Sequence, residues 1–219
     1  MFKEKKYTVI KSAISKELSD FVYSYFLLKR KVARTYFDLK FISPFTEYFG
    51  VWNDKQVPET YSHYGDIAME TLLEKLLPLM KEKTKLNLIP TYAYARIYKK
   101  GDILKRHKDR TSCEISTTLN LGGDPWPIYL SPNENVGIPE NNGGEKGVTA
   151  SSNAKGIKVD LEPGDMLIYS GCILEHWREE FKGENCGQVF LHYNNVDTQG
   201  DKNIYDGRPH LGLVSSFKK

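Results

Sequence analysis

The feature that most constrains the fold is a change of period near Pro90. Beyond it, short runs rich in Tyr, Ile, Val, Thr and Phe alternate with clusters of Gly, Pro, Asn and Asp. That is strand and turn chemistry. Strands are predicted near Tyr92–Tyr98, Cys113–Leu121, Pro127–Leu130, Ile157–Leu161, Met166–Tyr169, Leu174–Arg178 and Gln188–Asn194. Strands at this density close on one another as a sandwich or barrel, whereas alternating α/β units need helices between them. Before Pro90 the period is helical. Ile14, Leu18, Phe21, Val22, Tyr25, Phe26 and Leu28 recur at steps of three and four, predicting a helix from Ile14 to about Lys31, capped by Ser12 or Ser15. A second helix is expected from about Asp66 to Lys83, kinked or shortened by Pro78. Between the two helices lies an irregular aromatic stretch, Phe41–Tyr64. Ser131–Gly156 reads as a long loop of the kind that often covers a site. The tail from Asp197 to Lys219 reads as polar and peripheral, with Tyr205, His210, Leu211 and Leu213 able to dock. The expected division is 1–90 helical support, 91–196 β core and 197–219 tail, in a single compact domain.

With 219 residues, 40% hydrophobic and 27% charged, the chain is long enough for one domain with a real core. A net charge of +3, from 31 basic and 28 acidic residues, does not argue for nucleic acid as the partner. The basic run Lys99, Lys100, Lys105, Arg106, Lys108, Arg110 reads as a solvated face, with a local patch that attracts anions as the alternative. Three widely spaced cysteines, Cys113, Cys172 and Cys186, make neither a disulfide framework nor a zinc site, and they suit a reducing compartment. The charged start lacks an apolar signal core, and no apolar run approaches the ~20 residues of a membrane span. A cytoplasmic protein with no membrane partner, monomeric or homodimeric, is expected.

The chemistry concentrates in His107-Lys108-Asp109. On an extended segment, residues i and i+2 point to the same side. An imidazole and a carboxylate then face one pocket, as two ligands of a facial triad whose open face admits a chelating cosubstrate and dioxygen. His-x-Asp alone is a weak signal; a surface His beside an acid is the plain alternative. Here the strand Tyr94–Tyr98 and the turn at Gly101 lead into it. Downstream, Ile157–Leu161, the turn Glu162-Pro163-Gly164-Asp165 and the strand to Tyr169 lead towards His176. These three groups come from separate strands and converge only if the sheet closes on itself.

Tyr98 and Gly101 before His107-x-Asp109, then Leu161-Glu162-Pro163-Gly164-Asp165 and a distal His176, resemble the Fe(II)- and 2-oxoglutarate-dependent dioxygenases. The branch resembled is the prolyl-4-hydroxylase-like one, in particular its small microbial and viral members. The resemblance spans Tyr92 to Asn195. It implies a mainly β fold, a double-stranded β-helix (jelly roll) with N-terminal helices packed on one side. It further implies Fe(II) held by His107, Asp109 and His176, 2-oxoglutarate and dioxygen as cosubstrates, and ascorbate as an optional accessory. The products are succinate, carbon dioxide and a hydroxylated C–H bond. Relatives that halogenate lack the carboxylate, so Asp109 favours hydroxylation.

One family position is not met. Prolyl-hydroxylase relatives bind the distal carboxylate of 2-oxoglutarate with a Lys or Arg at positions that fall here on Asn185 and Cys186. Arg178 is the first replacement, because it follows His176 by two residues and its planar fork suits a carboxylate; a surface ion pair with Glu175, Glu179 or Glu180 is the alternative. Arg96 is the second and Lys182, in a turn, the third. Tyr98 matches the family Tyr that hydrogen-bonds the cosubstrate, or is a plain strand Tyr. Thr118 and Asn120 can face the pocket, as can Gln188, His192 and Tyr193. His63 and His210 read as ordinary histidines, and Trp126 as barrel wall.

Three functions are consistent with these residues. The first is hydroxylation of a peptidyl or free amino acid, prolyl side chains leading, with a small-molecule or peptide substrate. The second is a nucleobase-modifying dioxygenase, whose usual pair of arginines after the distal His is missing. The third is a non-enzymatic cupin-like module, against which the intact triad argues.

Overall fold

The computed structural model describes residues 2–136 and 153–218. Helices α1 (Phe2–Lys5), α2 (Lys16–Asp38), α3 (Ile67–Thr84) and α4 (Val196–Gln199) accompany ten strands. The strands are β1 (Tyr7–Ile10), β2 (Tyr61–Tyr64), β3 (Leu88–Lys99), β4 (Leu104–His107), β5 (Ile115–Gly123), β6 (Ile128–Leu130), β7 (Ile157–Val159), β8 (Met166–Ser170), β9 (His176–Arg178) and β10 (Asn185–Asn195). All pairings are antiparallel. One sheet runs β1-β8-β5-β10-β3-β2 and the other β4-β9-β6-β7. The chain is thus the mainly β, two-sheet jelly roll that the sequence predicts.

Local chemistry sets the helices. Ser15 caps α2 by accepting from the Leu18 amide at 3.1 Å, and Asp66 caps α3 by accepting from the Met69 amide at 3.1 Å. Helix α2 runs past the predicted Lys31 to Asp38, and α3 runs through Pro78 to Thr84 rather than stopping there. Both helices press on the larger sheet. Val22 and Phe26 from α2, and Met69, Leu72, Leu73 and Leu76 from α3, join Ala93, Ala95, Ile97, Leu119, Val189 and Leu191 in one buried core.

Side chains on the central strands alternate, and this alternation creates the site. Ala93, Ala95 and Ile97 of β3 face the helices, while Tyr92, Tyr94, Arg96 and Tyr98 line an interior cavity. On β10, Val189, Leu191 and Tyr193 go to the helical core, and Phe190 and His192 to the cavity. Tyr193 therefore leaves the pocket set, its hydroxyl donating to the Leu73 carbonyl at 2.8 Å. The register fixes the pairing: Gln188 opposite Arg96, Phe190 opposite Tyr94 and His192 opposite Tyr92.

The predicted strands exist, with shifted ends. Strand β3 begins before Pro90, at Leu88, and the register with β10 slips between His192 and Tyr193, where Pro90 brings no amide to the ladder. Strands β1, β2 and β4 were not predicted; β1 and β2 extend the larger sheet from within residues 1–90. The turn at Pro163-Gly164 works as read and does more. Asp165 accepts from the Ser12 amide at 2.9 Å and pairs with Lys11 at 2.6 Å, tying the approach to α2 onto β8. Residues 196–218 dock through Arg208, which pairs with buried Glu70 at 2.7 Å. The loop predicted at Ser131–Gly156 lies mostly outside the described residues. No described helix is long and apolar enough to cross a membrane.

Candidate metal centre

Strand β4 ends at His107, β9 begins at His176, and these two residues pair directly across the smaller sheet. Their rings lie 4.2 Å apart. Asp109 follows the end of β4 and is held by its amide, which donates to the Gly171 carbonyl at 2.9 Å. One ligand atom from each of the three lies within 4.8 Å of the others. Asp109 Oδ1 stands 3.6 Å from His107 Nε2 and 3.4 Å from His176 Nε2.

Both imidazoles are oriented from behind. His107 Nδ1 contacts the Lys105 carbonyl at 2.7 Å and His176 Nδ1 the Leu174 carbonyl at 3.0 Å. A carbonyl only accepts, so Nδ1 carries the proton and the Nε2 lone pair is left facing the centre. On the far side, Asp109 Oδ2 accepts from the Ser116 hydroxyl at 2.7 Å, and Ser116 Oγ lies 3.0 Å from His192 Nδ1. With its proton given to Asp109, Ser116 accepts from His192.

The electrostatics suit a cation. Burial, then His176, pushes His107 down to about 4, so its imidazole is neutral at ordinary pH. Burial also opposes the Asp109 charge, but His176 and then His107 hold this carboxyl well below the usual carboxylate range. Burial acts on His176 in the same sense as on His107, and there the adjacent Asp109 carboxylate outweighs it and raises the imidazole. Two neutral-capable nitrogens and one anionic oxygen, all pre-oriented, form a donor set that fits a six-coordinate divalent ion such as Fe(II).

Gly171 is a residue that sequence reasoning missed. A Cβ there would stand 2.6 Å from Ser116 Oγ and 2.5 Å from the Cys113 carbonyl, and closer still to Asp109 Oδ2. Only glycine lets this backbone hold Asp109. Gly171→Ala should therefore weaken Co(II) or Fe(II) binding by about 10–100-fold, the usual cost of disturbing a residue that orients a ligand. Titration by calorimetry checks this, and wild-type affinity would contradict it.

The centre opens on a cavity of about 830 Å³. Residues 54–58, within the stretch Phe41–Tyr64, border it. Of the predicted cosubstrate residues, Tyr98, Arg96 and His192 line it. Arg178, Thr118 and Gln188, predicted to face the pocket, do not line it and form one buried group. Arg178 is 1% exposed; its Nη1 donates to the Trp126 carbonyl and its Nη2 to Thr118 Oγ1 at 3.1 Å. Thr118 in turn donates to Gln188 Oε1 at 2.9 Å. Arg178 Nε has no partner, and no carboxylate among the described residues pairs with this guanidinium. Burial pushes Arg178 down from the usual guanidinium value. The surface-pair alternative for Arg178 does not occur: Glu175 pairs with Arg106 and Glu180 with exposed Lys182.

Arg96 is the contrast. It is equally buried, but Asp54 accepts from its Nη2 and Tyr98 from its Nη1 at 3.2 Å. Burial opposes its charge, yet Tyr98, Tyr94 and Asp54 hold it above the usual value. Tyr169, which sequence analysis treated only as the end of a strand, lines the cavity with its ring 4.6 Å from His176. Asn120 instead ties the Leu161 carbonyl at 2.6 Å. Trp126 is wall as predicted, its ring 5.0 Å from the Arg178 guanidinium carbon. His63 is buried beside Asp66 and His210 is exposed. The basic run is not one solvated face: Lys99 pairs with Asp102, Arg106 with Glu175 and Arg110 with Asp206, while Lys108 is buried. None of the three cysteines is in a disulfide.

The chain matches no family model and no curated protein. Its fold does match solved structures. A Pseudomonas putida prolyl-4-hydroxylase shares 14% identity at a TM-score of 0.55, with 89% of this chain and 95% of that one covered. HygX from Streptomyces hygroscopicus, with nickel and 2-oxoglutarate bound, shares 13% identity at a TM-score of 0.60, covering 100% and 91%. EctD from S. alaskensis, in its apoform, shares 14% identity at a TM-score of 0.58, covering 100% and 84%. At such identities the likeness establishes the fold.

Proposed function

We propose that this protein is an Fe(II)- and 2-oxoglutarate-dependent dioxygenase that hydroxylates a C–H bond of a peptidyl or free amino acid. The observation that carries the proposal is a charge that is missing. Beside a pre-oriented His107–Asp109–His176 set lie two buried guanidinium groups, Arg96 and Arg178, and among the described residues only the first pairs with a carboxylate. An unpaired buried cation is costly. A dicarboxylate that chelates the metal at one end can neutralise Arg178 at the other. HygX, which has the same fold, holds nickel and 2-oxoglutarate.

Bound there, Fe(II) with 2-oxoglutarate would supply the oxidative decarboxylation to succinate and carbon dioxide that inserts one dioxygen atom into a C–H bond. The protein's own residues do the rest. His107, Asp109 and His176 would hold the metal. Arg178, set by Thr118 and Gln188, binds the far carboxylate, with Tyr98 beside it. Arg96, already tied to Asp54, keeps Tyr98 in place. His192 acts through Ser116 to keep the Asp109 carboxylate oriented. The aromatic lining from Tyr92, Tyr94, Tyr169 and Phe190 excludes water from the reacting centre.

Anaerobic addition of Fe(II) and 2-oxoglutarate should give a weak visible charge-transfer band and a raised melting temperature. Neither change would favour a cupin-like binding module instead. Succinate formation stimulated by a proline-rich peptide supports the amino-acid substrate, and stimulation by alkylated DNA would replace it with a nucleobase. The broader fold neighbourhood, which includes an epimerase and a carbocyclase of the same cofactor class, makes the product analysis part of that experiment.

A further inference from the structure

Between the end of β4 at His107 and the start of β5 at Ile115 the chain leaves both sheets, and Asp109 lies on this loop. Backbone bonds hold the loop at the Asp109 amide and at the Arg110 carbonyl, which accepts from the Cys113 amide at 2.8 Å and the Cys172 thiol at 3.0 Å. Side chains hold it too: Thr91 donates to the Ser112 carbonyl at 2.8 Å, Ser116 to Asp109, and Arg110 reaches out of the loop to the C-terminal segment. That guanidinium, at the edge of the same cavity, meets Asp206 with two parallel bonds, Nη1 to Oδ1 at 2.9 Å and Nη2 to Oδ2 at 2.7 Å. It also donates to Ser112 Oγ at 2.8 Å and lies 4.7 Å over the Tyr92 ring.

Asp206 is itself over-determined. Tyr64 donates to its Oδ2 at 2.8 Å, and Lys218 pairs with it at 2.6 Å. It is buried, and with Tyr205 it sits in left-handed backbone, at φ 56° and 52°. Side-chain-bearing residues rarely adopt that conformation unless their surroundings impose it. Next to it, the Arg208–Glu70 pair pins this segment to α3.

We propose that Asp206 is a positioning residue for the metal centre: brought in from residues 204–207, it fixes Arg110 and with it the loop that carries Asp109. The inference rests on reading His107, Asp109 and His176 as the metal ligands. A bidentate guanidinium–carboxylate pair fixes direction as well as distance, which a single ammonium contact does not. Tyr92, clamped beneath Arg110, packs at a tilt against His192 with ring centroids 4.5 Å apart, and His192 contacts Ser116, so the same clamp reaches Asp109 from its other oxygen. The segment that sequence reasoning set at the periphery thereby becomes part of the site.

The test is Co(II) titration of the full chain under anaerobic conditions, read as affinity and as the visible ligand-field spectrum at saturation. Asp206→Asn keeps the volume and removes the charge. It should weaken Co(II) binding roughly tenfold, the lower end of what losing a ligand-orienting partner costs, and change the spectrum. Arg110→Lys should do the same from the other side, the double variant should be no worse than either single one, and Asp206→Glu should restore most of the affinity. If Asp206→Asn fails to fold, Arg110→Lys carries the test. A lowered melting temperature with wild-type affinity and spectrum would overturn the proposal, leaving Asp206 a purely structural residue. His107→Ala separates the two readings. Co(II) binding that survives His107→Ala overturns the metal centre and this inference together, whereas binding that needs His107 but ignores Asp206 overturns this inference alone.

Discussion

Asp109→Ala and His107→Ala are each expected to abolish the Fe(II)–2-oxoglutarate charge-transfer band and succinate formation. Each removes one of three donors whose atoms lie within 4.8 Å of one another. The loss should exceed the ~100-fold that removing a residue behind a ligand can cost, because the donor itself is gone. The two variants differ in what they leave behind. Without Asp109, Ser116 is left with the Cys113 carbonyl as its acceptor and His176 loses the anion that raises it. Without His107, the Lys105 carbonyl loses its donor, while Asp109 keeps His176 as its closer neighbour. Metal titration with the melting curve of each ligand-free variant checks both. A folded variant that still decarboxylates 2-oxoglutarate at the wild-type rate would remove these residues from the metal centre.

Arg178→Ala should raise the 2-oxoglutarate requirement while leaving Co(II) affinity near wild type. Truncating one member of a buried, hydrogen-bonded charge pair costs about 2–5 kcal/mol, or roughly thirty-fold to several thousand-fold in the concentration needed. A second readout isolates the charge. In the ligand-free protein Arg178 is buried without a counter-ion, so Arg178→Met should keep or raise the melting temperature. The same variant should lose most of the stabilisation that 2-oxoglutarate gives the wild type. An unchanged requirement in Arg178→Ala would move the anchor to Arg96, whose pairing with Asp54 would then have to open.

The readable parts of this fold share a physical reason. Strands β3, β5 and β10 carry long period-two runs in which small or aliphatic residues alternate with polar and aromatic ones, so their existence was legible. Strand β4, Leu104-Lys-Arg-His107, is mostly polar, and β2, Tyr61-Ser-His-Tyr64, sits among Pro, Gly and aromatic residues. Neither shows a period that separates it from loop, and each is a strand because a neighbour supplies the ladder. The three proposed ligands were legible because His-x-Asp plus a distal His is a sparse pattern. Ser116 shares the inward face of Thr118 and Asn120, so its signal was present. Asp54, Gly171 and Asp206 gave none: each acts across more than forty residues of sequence or through its backbone, and only the closed sheet brings them in.

The strict alternation on β3 and β10 also bears on how faithfully the chain folds. A slip of one residue between them would turn every side chain of the moving strand to the opposite face. Gln188 and His192 would be driven among Leu73, Met80 and Phe26, and Val189 and Leu191 would be left facing the polar interior. Each polar group stranded in that apolar layer would cost about 1–3 kcal/mol. The residues suited to chemistry thus act as a proofreading signal during assembly, because a misregistered sheet is penalised on both of its faces at once.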